Sequence, residues 1–163
     1  MADLSEWQTL LALQAGAAAT LTGLVFVAVS INLSNIINVA GLPGRAAESI
    51  LQLLQVFFIC TAALIPRQSV VALAWEILCI AAVSWIAQTV AQVRYARFRR
   101  GHPRRWLLSR VVPTQAATIP FCIAACGLWI GMNGAIYWIV PGFFFSFAAS
   151  VLSAWVLLIE ILR

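Results

Sequence analysis

The chain has 163 residues, 63% of them hydrophobic and 9% charged, with a mean hydropathy of +0.98 and a formal net charge of +5. Soluble domains carry roughly 25% charged residues, and no polar stretch here is long enough to build one. Composition therefore excludes a sizeable soluble domain and places the chain in the membrane class.

The N-terminal stretch Met1–Trp7 is short and acidic. It lacks the positive n-region of a cleaved signal, so the first apolar segment is expected to stay in the mature chain. No charge occurs between Glu6 and Arg45. A first span is predicted over residues 8–33, with Ser34, Asn35 and Asn38 fraying into a turn that Gly41, Pro43 and Gly44 end. It is long enough to cross a ~30 Å hydrocarbon core with some tilt. Gly16, Thr20, Gly23, Val27, Ser30 and Ser34 recur at spacings of 4, 3, 4, 3 and 4. Small residues let helix backbones approach in lipid, so this face is predicted to pack against another helix. A wet pore lining is the rarer alternative.

A second span is predicted over residues 46–65, stopped by Pro66. Glu48, Gln52 and Gln55 fall on one stripe in its first half, where polar groups must face protein or water. A contact from Glu48 back to Arg45 explains the acid simply; a functional polar cavity is the alternative. Ile65–Ser69 reads as a tight reversal into a third span over 70–93, with Glu76 about two turns in. A carboxylate at that depth needs a proton or a partner. Arg67 is the expected partner, and an ion or proton site the alternative.

The segment 94–110 holds seven of the ten arginines: Arg94, Arg97, Arg99, Arg100, Arg104, Arg105 and Arg110. Such a cluster beside spans is retained on the cytoplasmic side and is expected to meet anionic lipid headgroups, at about 1 kcal/mol per Arg. Wedged between spans, it is not read as a nucleic-acid surface. Residues 111–159 carry no charge, and Gly131-Met132-Asn133-Gly134 divides them into spans 106–130 and 135–162. Pro113, Pro120 and Pro141 fall at or inside these spans, where neighbouring helices can re-satisfy freed carbonyls. Ser146, Ser150, Ser153, Leu157 and Glu160 repeat the small-residue spacing as a second packing seam.

The predicted fold is one all-α membrane bundle over residues 1–163, with five spans, the N-terminus outside and the C-terminus cytoplasmic. A cytoplasmic loop at 94–105 then puts nine arginines inside and only Arg67 outside. Trp7, Trp129, Tyr137 and Trp138 collect at one membrane face and Trp106 at the other, as an aromatic belt requires.

Chemistry-bearing motifs do not emerge. Cys60, Cys79, Cys122 and Cys126 lie in apolar runs and read as packing residues, and the single histidine, His102, is far from all of them. There is no phosphate-cradling glycine loop, HExxH helix or Ser/His/Asp set, so neither an enzyme nor a cofactor is expected. The stretches AGAAATLTGLVFVAVSINL (Ala15–Leu33), LPGRAAES (Leu42–Ser49) and WVLLIEILR (Trp155–Arg163) resemble a group of small multi-pass bacterial inner-membrane proteins. Some of that group are named as modulators of a membrane-bound protease, and no catalytic residues come with the resemblance. It implies a location in the bacterial inner membrane.

Two functions fit these residues. One is a homo-oligomeric channel or small transport module, its polar path lined by in-membrane Glu, Gln, Ser and Thr. The other is a non-conducting structural or regulatory subunit that binds lipid or another membrane protein. Polar stripes facing the axis of a ring favour the first; stripes buried within one subunit favour the second.

Overall fold

In hydrocarbon every backbone N–H and C=O must be satisfied within its own segment, so long apolar runs become helices. The computed structural model follows that rule. It describes the backbone of residues 4–39, 41–98 and 104–162, and the side chains of 6–39, 41–96, 110–157 and 159. A 3-10 turn, Leu4–Trp7, leads into α1 (Gln8–Ile31), followed by short α2 (Leu33–Asn38), α3 (Leu42–Ala63), α4 (Val70–Phe98) and α5 (Arg104–Ile130). A second 3-10 turn, Ala135–Trp138, precedes α6 (Ile139–Leu162). No strand occurs among the described residues. The helices α1, α3, α4, α5 and α6 are each long and apolar enough to cross a membrane.

The boundaries differ from the sequence reading at several helix ends. The first span breaks at Asn32, whose side-chain amide bonds back to the Ala28 carbonyl at 3.0 Å. The residues expected to fray then form α2 instead. α3 starts four residues early because Pro43 suits a first helical turn, and Gly41, at φ 101°, adopts the left-handed backbone that turns the chain into it. α4 begins at Val70, where Ser69 Oγ accepts from the Ala72 amide at 3.1 Å, and continues past residue 93 into the Arg cluster.

The four helices α3 to α6 run up-down-up-down and pack as a square, each against its two sequence neighbours, with α6 closing on α3. Short turns at 64–69 and 131–134 join them at one end, here the turn end; the Arg cluster lies at the other. Gly142 lets α6 approach α5: a Cβ there would sit 2.6 Å from the Phe121 ring. Trp7 meets Tyr137 edge-on at 4.9 Å and Trp75 lies 5.8 Å from Trp129, an aromatic cluster at the turn end that includes the unanticipated Trp75.

α1 lies outside this square, against α3. It packs through Leu11, Ala15 and Ala18, the face opposite the expected one. Gly16, Thr20, Gly23, Val27, Ser30 and Ser34 are exposed, and a Cβ on Gly16 or Gly23 would meet nothing within 4 Å. The expected contact on the α1 seam is therefore not made within the chain. The α6 seam behaves as expected: Ser146 and Ser150 are buried and Ser153 half-buried, whereas the Glu160 side chain lies outside the described residues. Gly142→Leu should lower the melting temperature in detergent by several degrees, since overpacking costs about 1–3 kcal/mol. A melt equal to wild type would mean that α6 does not approach Phe121 this closely.

Candidate functional site

The interior of the square is polar in one half and dry in the other, and the division follows all four helices. Towards the Arg-rich end the buried side chains are Glu48, Ser49, Gln52 and Gln55 on α3, Gln92, Gln88 and Ser84 on α4, Arg110, Thr114 and Thr118 on α5, and Ser150 and Ser146 on α6. Towards the turn end they are Ile59 and Cys60, then Ile77 and Leu73, then Phe121 and Leu128, then Phe143 and Ile139. From Arg110 to Thr118 the helical rise is about 12 Å, well under half of a ~30 Å hydrocarbon core.

Glu48 is 2% exposed and Arg110 5% exposed. The Arg110 Nε donates to Glu48 Oε2 at 2.8 Å and to Oε1 at 2.9 Å, an ion pair that reaches across the diagonal from α3 to α5. The guanidinium Cζ lies 5.3 Å from the Tyr95 ring centroid, a cation–π contact from α4. The start of α3 is shaped to admit both groups. A Cβ on Gly44 would lie 2.7 Å from Arg110 Nη2, and one on Gly41 would lie 2.5 Å from the Tyr95 ring.

Arg110 is thus not the headgroup-contacting residue that its place in the cluster suggested, and Glu48 answers a charge 62 residues along the chain. A charge in hydrocarbon is costly alone, so the pair forms wherever the fold allows it. Arg94 is exposed. The side chains of Arg97, Arg99, Arg100, Arg104 and Arg105 lie outside the described residues.

Each wall of the square carries its own polar contact in this half. Gln52 Nε2 donates to Gln88 Oε1 at 3.3 Å between α3 and α4, and Gln92 Nε2 to Thr114 Oγ1 at 3.0 Å between α4 and α5. Ser146 Oγ donates to the Ala117 carbonyl at 3.5 Å between α5 and α6. Ser49 and Ser150 share a hydroxyl–hydroxyl bond of 2.8 Å between α3 and α6. On the outside, Trp85 Nε1 donates to Gln115 Oε1 at 2.6 Å.

The predicted stripe Glu48, Gln52 and Gln55 is therefore one side of a layer to which every helix of the square contributes. The sequence reading missed Ser49, Ser84, Gln88, Gln92, Arg110, Thr114 and Thr118 as members. Gln88 and Gln92 stand four apart, as do Arg110, Thr114 and Thr118, a spacing that marks one helix face. Several buried atoms make no hydrogen bond to another protein group: Gln52 Oε1, both amide atoms of Gln55, Gln88 Nε2 and Thr89 Oγ1. Each such group costs about 1–3 kcal/mol when left dry.

The expected Arg67–Glu76 pair does not form. Arg67 is exposed in the reversal at φ 58°, outside the helix that begins at Val70, and Glu76 Oε2 is buried without a hydrogen-bond partner. No group of three or more His, Cys, Asp or Glu side chains able to hold a metal occurs among the described residues. No protein-family model, curated protein or solved structure matches the chain.

Glu48→Gln should destabilise the bundle by about 3–5 kcal/mol, because it strands the buried Arg110 charge; a melting shift of roughly 10 °C would report it. The double variant Glu48→Leu with Arg110→Met should recover most of the loss. Additive losses in that cycle would mean that the two charges are not coupled.

Proposed function

We propose that this is a non-conducting structural or regulatory subunit of the bacterial inner membrane, without catalytic chemistry of its own, that assembles with copies of itself. The observation that carries this reading is the depth at which the polar layer ends. Conduction needs a continuous line of polar or small groups through the bilayer. Here Glu48, Gln52 and Gln55 face the interior of a single chain, and beyond Thr118 the same interior is filled by Phe121, Phe143, Ile77 and Leu128. The Glu48–Arg110 pair and one polar contact on each wall hold the subunit together.

Self-assembly is supported by the outward seam of α1, where Gly16 and Gly23 have room for a close helix neighbour. Membrane direction in this reading follows the arginines, with the N-terminus outside and the C-terminus cytoplasmic. Arg94, Arg97, Arg99, Arg100, Arg104 and Arg105 then face anionic headgroups. The inner-membrane location rests on the same charge asymmetry and on the resemblance of the three stretches described above.

Liposomes carrying the purified protein should show no cation or proton flux above protein-free liposomes; ion-selective flux abolished by Gln55→Leu would establish the channel instead. Gly23→Leu should shift the detergent-solubilised protein to a smaller size while leaving the melt of the dissociated subunit unchanged. An unaltered size would remove α1 as the assembly face. In a cysteine-free variant, cysteines at Asp3 and Asn133 should label from outside with an impermeant thiol reagent. One at Gly101 should label only after permeabilisation, and its labelling in intact cells would invert the orientation.

A further inference from the structure

The dry half of the interior is closed by Phe121 and Phe143, whose rings lie 5.7 Å apart, and by Ile59 and Ile77. Directly beneath it, on the polar side, Gln55 is 1% exposed and neither of its amide atoms meets a protein group. One turn further along α3, Gln52 spends its single bond on Gln88. That leaves Gln52 Oε1 and Gln88 Nε2 facing the same interior without protein partners. Four unpartnered atoms, two donors and two acceptors, therefore gather on three side chains that are all at least 98% buried.

We propose that Gln52, Gln55 and Gln88 form a binding site for ordered water at the inner limit of the polar layer, bounded on its deeper side by the phenylalanines. The chemistry of the ligand follows from the groups present. Glu48 and Arg110 already neutralise one another, so the layer offers no net charge to an ion. A cation would meet the amide donors of Gln55 and Gln88, and an anion the amide acceptors of Gln52 and Gln55. A small neutral molecule that both donates and accepts satisfies all four atoms, and water is the smallest. Buried waters of this kind make about three hydrogen bonds to groups otherwise unsatisfied. Water held at these amides is a property separate from whether the protein conducts.

The test uses the full-length protein in lipid bilayers, uniformly labelled with nitrogen-15 and observed by proton-detected solid-state NMR. Magnetisation should pass from water to the side-chain amides of Gln55 and Gln88, assigned by their loss in Gln55→Met and Gln88→Met. The backbone amide of Cys60, about one turn deeper in the dry half, should receive none. No transfer to either glutamine, with transfer to Gln8 at the water-facing end intact, would overturn the site. Thermal stability gives an independent reading. Met matches Gln in length but cannot hold water, so Gln55→Met should lower the melting temperature by about 2–4 °C. A rise would mean that Gln55 is buried dry.

Discussion

Two opposite charges can stay in hydrocarbon only in each other's company, and the meeting of Glu48 with Arg110 is the constraint to which the rest of this bundle conforms. The pair crosses the diagonal of the square, so it fixes α3 and α5 relative to each other although they share no wall. It also draws the first turns of α5 inward, away from the basic segment to which Arg110 belongs by sequence. Tyr95 covers the guanidinium, and Gly41 and Gly44 leave space that any larger side chain would take from it. With rotation and height set at this point, the amide and hydroxyl contacts of the four walls come into register at one level.

Such an interior suits the solvent around it. Lipid tails are as apolar as leucine, so burying apolar surface does little to choose one helix arrangement over another. Polar contacts and close approaches at small residues must supply the choice. The polar half supplies directional bonds, one on each wall, whereas the dry half supplies interdigitated packing, with Phe121 set against Gly142. α1 packs on α3 through apolar side chains around Leu11 and Ala18 and makes no contact through the small residues of its outer face. It is the helix with most surface left to offer a neighbour.

Under the proposed function this division of surfaces explains why a polytopic protein of this size has so few charges. Glu48 and Arg110, inside the spans, hold the subunit together; the arginines outside orient it in the membrane. Polar groups turned inward and stopped halfway give the subunit rigidity, and water held at Gln55 would satisfy amides that no helix reaches.

Five spans, the reversals near Pro66 and Gly131–Gly134, the polar stripe of α3 and the packing seam of α6 are all legible in the residues themselves. Transfer into lipid is decided over about 20 consecutive side chains, and turn chemistry over four. The partner of Glu48, the burial of Arg110, the exposure of Gly16 and Gly23 and the separation of Arg67 from Glu76 are tertiary facts. A lipid-embedded helix is apolar on nearly every side, so its sequence says little about how it is rotated or which neighbour it takes. The repeat at Arg110, Thr114 and Thr118 marked a face but not what that face would meet. Only with α3 and α5 diagonally opposed does Glu48 meet Arg110, and the cost of a lone charge in hydrocarbon then makes the two partners.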